Sequence, residues 1–469
     1  MKTLSIANLR GLPAEEAAML AELVKIYNNH LDANKKKEYY YEGHIKLQDV
    51  NLDIALPDGI SGPEIGCEWG AKCVDVLAAR SMFDGFVGRN GDDALTVNEI
   101  FSGNNIEAQY IKAVRDELKF GSTFATLSAD QKIGCRIRFH SPMTASAIWD
   151  GERGGILAGL AIVDIGLDEA SKSYSPKEVN LYTDTAIWEL RKIGQEWIAT
   201  ERPHMMGRPL MEPMVWNATS LKPFGRSRIK EPVRRLIEGY VRTIANATIG
   251  LEFATTPQKY LLGLTDDQYD VIVNQKFKQY IGNILAATVN PETGEKPSFG
   301  QLQQGSIAPH VEMIRLLATQ FSAATGLTVT DVGVINDANP TSSDAILAQS
   351  QTLVLLAEQL NAGNGAALHT IAKMAQAIAG SKRLEDLEVS ETEIIPHFKN
   401  PALPSVAVTA DAAIKIASAR PAFADTDVFM EMIGFSQADI RRIKGQEQRA
   451  RGMQVLSELT MTQDGTNGD

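Results

Sequence analysis

Between Asp344 and Ala379 the chain carries only three charged residues, Asp344, Glu358 and Lys373, although 22% of the whole sequence is charged. A stretch this bare does not face water along its length. It is packed against something, either this chain's own core or another protein. Thr341-x-x-Asp344 reads as a capping box that opens the stretch as a helix, and Asn361-Ala-Gly-Asn-Gly365 predicts a break or a kink in it. The fold must therefore supply a long apolar seat, and 469 residues, roughly three domains' worth, are enough to build one.

The segments on either side differ in texture. Residues 14–30 are spaced as an amphipathic helix, with Leu20, Leu23, Val24 and Tyr27 on one side; a Lys/Tyr run over 35–41 and a Pro/Gly-rich loop over 57–66 follow. Residues 67–82 again have helical spacing. From Phe120 to Trp216 short runs such as Cys135–Phe139, Leu157–Ile165, Ala186–Leu190 and Trp197–Thr200 sit between Gly, Pro and Asp-Gly turns, and Asp150-Gly151 predicts a tight hairpin turn. The first 220 residues are thus expected to form a mixed α+β domain. A helix of about 39 Å follows, carried by Ile229, Val233, Ile237, Tyr240, Ile244 and Leu251. It either begins near Ile229 or bends, because Pro232 falls too deep in a helix capped by Ser227. Next come a strand over Lys259–Leu262, a helix from Thr265 to about Ala287, a Pro/Gly loop, and a second helix over 307–325 closed by Gly326. Beyond the bare stretch and a Pro-rich connector, residues 408–460 are helical again, with a disordered end.

Composition and motifs exclude more than they assign. With 46 Lys+Arg against 58 Asp+Glu the formal net charge is −12, which disfavours gripping nucleic acid by bulk charge, since that affinity comes from Lys and Arg displacing counterions. Three cysteines, Cys67, Cys73 and Cys135, cannot all pair and fit a reducing compartment. No apolar run approaches the ~20 residues of a membrane span, and the first residues lack a signal-peptide core. The expectation is a soluble protein made inside the cell. There is no G-x-x-x-x-G-K-[ST], no G-x-G-x-x-G after a strand, no G-x-S-x-G and no H-E-x-x-H. His310-Val-Glu312 lacks the P-C-x-x-C that would complete a zinc site. Pro57-Asp58 with Glu117-Leu-Lys119 can be forced into a metal-nuclease pattern, but solvated charges are the better reading. No catalytic residue, metal site or cofactor is expected.

What remains are islands of charge and one loop. Arg226, Arg228, Arg234 and Arg235 belong to a cationic cluster with Lys222, Lys230 and Arg242; Arg441 and Arg442 belong to a second with Lys444, Arg449 and Arg451. Each reads either as a phosphate contact or as a surface for a partner protein. Asp266, Asp267 and Asp270 open the helix of the 254–306 insert, where the helix dipole favours acids. The loop Thr328–Ser343, TVTDVGVINDANPTSS, is rich in turn-forming residues (Gly333, Asn336, Asp337, Asn339, Pro340) and holds no base. Val332, Val334 and Ile335 are its apolar contact residues.

The order of elements, together with several short motifs, resembles the portal (head-to-tail connector) proteins of long-tailed bacteriophages. Tyr39-Tyr-Tyr-Glu-Gly43 is similar to that family's early "YYxG" segment, and Trp69 to Phe86 resembles its "W…VVD…A.RL…GF" helix. Phe120-Gly-Ser-Thr-Phe124 followed by His140-Ser-Pro142 resembles its "hGxaxv…SP" strands. Asn339 to Leu353 resembles its "NPSSAEA…A…L" opening of the helix after the tunnel loop, and Pro421 to Ile443 its "P…LG.S..EI.R" module. The likeness runs over nearly the whole chain.

The resemblance implies an α+β, portal-like fold: a wing (1–220), a stem helix (221–253), a small α/β clip (254–306), a second stem helix (307–327), and a tunnel loop (328–343). A long wing helix with a return strand (344–405) and a helical crown (406–469) complete it. It further implies a ring of about a dozen copies at one capsid vertex, a channel for packaging and ejection of double-stranded DNA, and head-tail joining. The partners implied are a terminase motor, head-completion or adaptor proteins, and capsid and scaffolding proteins, with assembly in the host cytoplasm and no membrane. Val332, Val334, Ile335, Asn336, Asp337 and Asn339 would line the channel, and Asp266, Asp267 and Asp270 would meet a partner. A closed ring at −12 per copy repels DNA from its body, as a conduit should. Another structural virion component, such as a minor capsid or adaptor protein, is the competing reading; a phage nuclease or hydrolase is opposed by the missing motifs.

Overall fold

The computed structural model describes residues 3–46, 64–88, 94–168, 173–255, 259–262, 294, 298–301, 306–333, 343–402, 406–435 and 437–464. In chain order the elements are β1 (Leu9–Arg10), α1 (Ala14–Glu42), β2 (His44–Lys46), β3 (Glu64–Gly66), α2 (Trp69–Ala78), β4 (Phe83–Gly88), α3 (Leu95–Gly103) and α4 (Ile106–Phe120). Strands follow: β5 (Ser122–Asp130), β6 (Gly134–His140), β7 (Ala145–Asp150), β8 (Gly155–Asp168), β9 (Ser173–Tyr182), β10 (Ala186–Ile193), β11 (Glu196–Pro203) and β12 (Met211–Val215). The remainder is α5 (Glu231–Thr255), β13 (Lys259–Leu262), β14 (Ser298–Gln301), α6 (Ala308–Thr325), α7 (Ser343–Ala379), α8 (Val389–Thr392), β15 (Ile394–Phe398), α9 (Val406–Ala419), α10 (Asp427–Ile433) and α11 (Gln437–Asp464).

Two cores organise the first 220 residues. Leu20, Leu23, Tyr27 and Leu31 recur at helical steps on α1 and pack with Leu160, Ile162, Val179, Leu181, Trp188 and Leu190 from a six-stranded sheet ordered β1-β11-β10-β9-β8-β7. The helix does not stop at residue 30. It runs through the Lys/Tyr segment to Glu42 and ends at Gly43 in the left-handed region (φ 73°), where a Cβ would lie 2.7 Å from the Cys67 carbonyl oxygen. The β7–β8 turn forms at Asp150, whose Oδ1 accepts from the Glu152 and Arg153 amides; the left-handed residue is Gly154 (φ 66°), not Gly151.

The larger core lies between a three-stranded sheet (β12-β5-β6) and helices α2, α4, α5, α6 and α7. The free edge of β6 is closed by a side chain: Asn104 donates to the Cys135 carbonyl (2.7 Å) and accepts from the Ile137 amide (2.9 Å), as a neighbouring strand would. Residues 394–398 return to this core as β15, antiparallel to β4, with Ile394 opposite Gly88 and Pro396 opposite Phe86. All three cysteines are buried and unpaired.

The charge-poor stretch is one unbroken helix. The break expected at 361–365 is absent, because the residues that suggested it are held by tertiary contacts. Leu353, Ala357, Leu360, Ala367, Leu368 and Ile371 are buried, and α7 packs on β12, β5, β6 and β15. Gly365 would bring a Cβ to 3.6 Å from the Phe398 ring. Asn364 is fully buried and spends its amide N–H groups on Glu117 Oε2 (2.9 Å) and the Tyr110 hydroxyl (3.1 Å). Two helix-interior glycines cost about 1 kcal/mol each against alanine, less than this burial returns.

Candidate functional site

The paired helices α5 and α6, with the segment that leaves α6, are where the sequence placed most of its functional expectations. On α5, Val233, Ile237, Val241 and Ala245 form one buried stripe at four-residue intervals. It packs on Leu317, Ala318 and Phe321 of α6, and Gly239 allows the approach, since a Cβ there would sit 3.2 Å from Leu317. The pair is rooted on α2, whose Trp69 ring lies 4.6 Å from Tyr240 and 4.8 Å from Phe321. The tyrosine run of α1 holds the same root: Tyr40 donates to Glu238 (2.5 Å) and Tyr41 to Asp75 (3.0 Å).

The start of α5 is settled by local hydrogen bonds. Ser227 does not cap it. Its hydroxyl donates to the Lys119 carbonyl and accepts from the Ile229 amide, and the helix opens at Glu231, so Pro232 lies in the first turn, where its missing N–H costs nothing. The cationic cluster around this start divides. Arg228 is no surface cation: it is 8% exposed, donates to the carbonyls of Cys73 and Thr325, and lies 5.8 Å from the Trp216 ring. Burial lowers its pKa, and its charge is absorbed at the carboxyl end of α6, where unpaired carbonyls favour a cation. Arg234 donates to the Ile229 carbonyl and faces the Tyr40 ring; Arg235 pairs with Glu238 (3.0 Å) and Glu231 (3.5 Å). Arg226 is exposed. In the second cluster Arg442 is exposed and lies 3.9 Å from Asp439, and Arg441 sits in the first turns of α11.

The segment after α6 begins as an ordered turn. Gly326 (φ 74°) ends the helix, and Asp331 Oδ2 accepts from the amide and hydroxyl of Thr328 (3.0 and 2.8 Å). Val332 is buried in the larger core, 8% exposed, so it anchors the segment and is not a contact surface. Val334, Ile335, Asn336, Asp337 and Asn339 lie outside the described residues, as do Asp266, Asp267, Asp270 and the 265–287 helix expected around them.

Beyond Ala245 and before Leu317 the helix pair changes character. Leu251, Val311, Met313 and Leu316 are 44, 43, 43 and 52% exposed, so among the described residues the far half of the pair presents uncovered apolar side chains.

Sequence reasoning missed the polar cluster beneath α7. Glu117 and Lys119 are not solvated charges. Glu117 is fully buried, and desolvation pushes its carboxyl up to about 8 despite the hydrogen bond from Asn364. Lys119 is 8% exposed and pairs with Glu38 (2.9 Å) and Asp116 (3.4 Å). Nothing in the helical spacing marks Glu117 as an inward residue except its place three residues after Val114 on the apolar side of α4. Among the described residues no group of three or more His, Cys, Asp or Glu side chains is arranged to hold a metal ion, and no helix is long and apolar enough to cross a membrane.

The sequence model of the family described as phage portal protein, SPP1 Gp6-like, matches residues 20–452. The chain belongs to the phage portal protein family. No curated protein matches the sequence. Among solved structures the chain is similar to one from the virion of a native gene transfer agent (GTA) particle (12% identity, 76% of this chain and 87% of that chain, TM-score 0.44). It is also similar to one from the neck of an empty GTA particle with C6 symmetry (12%, 80% and 89%, 0.45). A third comes from the neck of a native GTA particle with C12 symmetry (12%, 78% and 89%, 0.42).

Proposed function

We propose that about a dozen copies of this chain close into a ring at one capsid vertex, forming the head-tail connector and the channel through which double-stranded DNA is packaged and ejected. The family match over residues 20–452 carries this reading. On it, 1–220 and 344–405 form the wing, 221–253 and 307–327 the stem, 254–306 the clip, 328–343 the tunnel loop and 406–469 the crown. The clip, with Asp266, Asp267 and Asp270, meets the packaging motor or an adaptor; capsid and scaffolding proteins meet the wing. The ring is a passive conduit, with motor power supplied by another chain.

The tunnel-loop assignment rests on position and composition: the segment joins α6 to the charge-poor α7 and contains no base between Thr328 and Ser343. Lysines at Asn336 and Asn339 should leave ring assembly intact and slow or arrest DNA translocation, more severely at low salt. Unchanged packaging rate and packaged length across salt concentrations would remove the loop from the DNA path.

A further inference from the structure

A cavity of about 260 Å³ lies between the three-stranded and six-stranded sheets, away from the α5–α6 pair. Its floor is polar and built. His140 and Thr126 are 9% and 4% exposed and meet at 3.0 Å, and the buried Tyr182 lines the floor beside them. Burial, and then Arg138, lower the His140 pKa to about 4, so the floor is neutral. The walls are not. Four guanidinium groups, Arg136, Arg138, Arg191 and Arg202, face two carboxylates, Glu178 and Glu189.

Three of the four arginines are committed. Arg136 pairs with Asp130 (2.6 Å), Arg191 with Glu178 (3.1 Å), and Arg202 with Glu189 (2.8 Å). Arg138 has no ion pair among the described residues and stands exposed on β6 at the cavity. A guanidinium beside other cations over a neutral polar floor is a receptor for a planar oxyanion, because its fork matches a carboxylate with two hydrogen bonds. The volume suits one side-chain head group and excludes a nucleic-acid strand.

We propose that this cavity receives a carboxylate side chain from a second copy of the chain, with Arg138 as its principal partner. The choice of occupant rests on the ring reading and on charge. A subunit of net charge −12 repels its own copies, and a ring contact, in which one face meets a different face of the next copy, is relieved where a cation excess meets one of those acids.

The test uses the full chain. Ring mass is followed by sedimentation against rising salt for the wild type, Arg138→Glu, and Lys192→Glu, an equal charge change on β10 outside the cavity. The expected result is that Arg138→Glu weakens ring association at least tenfold at low salt, Lys192→Glu changes it less than twofold, and the monomers melt alike. A photo-activated cross-linker at position 138 should yield covalent dimers of the chain. Wild-type rings matched by Arg138→Glu rings, or a cross-linker that captures only its own subunit or another virion protein, would overturn the proposal while leaving the ring reading intact. A wild type that forms no ring would instead remove the reading on which it rests.

Discussion

The guanidinium of Arg228 donates to the backbone carbonyl of Thr325, the last residue of α6, at 2.5 Å, and to the Cys73 carbonyl of α2 at the same distance. One buried side chain three residues before α5 thus ties the roots of three helices and satisfies a carbonyl that the end of a helix leaves unpaired.

Replacing Arg228 with Met should therefore be costly. Methionine keeps apolar bulk but strands the Thr325 carbonyl at the end of α6 and removes the second bond that the Cys73 carbonyl accepts beside its own helix bond, a loss of about 1–3 kcal/mol, read as a lower urea midpoint. Arg228→Lys should recover only part of this, since a single ammonium lacks the fork that reaches both acceptors. Unfolding curves of Arg228→Met that overlay the wild type would show the two bonds to be dispensable.

Glu117 gives the protein a pH dependence with a defined sign. Its folded pKa is about 8 and its ordinary value 4.5, so the folded state holds the proton more tightly. Its contribution to stability is greatest below about pH 4.5, falls as the unfolded carboxyl ionises, and stops falling near pH 8, where the folded one ionises too. The full loss is on the order of 4–5 kcal/mol. Glu117→Gln should flatten this slope and raise the melting temperature above wild type at pH 8. An equal slope in both proteins would place the titration elsewhere.

His397 acts at another junction. It sits on β15, 3.8 Å from Asp84 of β4 and 3.5 Å from Glu431 of α10, with Lys399 also facing Asp84 at 3.8 Å. Asp84 first, then Glu431, raise its pKa against an opposing desolvation. Its contribution is fully present below about pH 6.5 and is lost as pH rises through the raised value. Hydrogen-exchange protection of α10, corrected for intrinsic rates, should decline over that window in the wild type and not in His397→Gln. A decline that persists in the variant would exclude His397 as its cause.

The sequence shows the elements more readily than their contacts, and the reason is physical. Periodicity marks α6 to within a residue and places its Gly326 cap, because helix ends are local chemistry. It fails at 361–365, where Asn and Gly are local breakers but Asn364 is paid for by Glu117 and Tyr110, which lie about 250 residues earlier. It fails likewise for Arg228, whose neighbours in sequence are cations and whose partners are carbonyls on α2 and α6. The family likeness is carried by residues at such junctions: Trp69 under the helix pair, the tyrosines of α1, and Gly43 against Cys67.

The far half of the helix pair supplies the most direct test of assembly. Leu316 is 52% exposed and Met313 43%, each beyond the buried Leu317–Phe321 seam. On the ring reading, neighbouring subunits cover them, so a charge placed there would be buried without a partner on assembly and remain solvated in the monomer. Leu316→Glu and Met313→Glu should therefore melt like the wild type as monomers and fail to form rings, whereas Thr319→Glu, on an exposed position outside the apolar group, should assemble. Rings of normal mass from Leu316→Glu would mean that this surface faces solvent or another protein, and would move the subunit contact away from the distal helices.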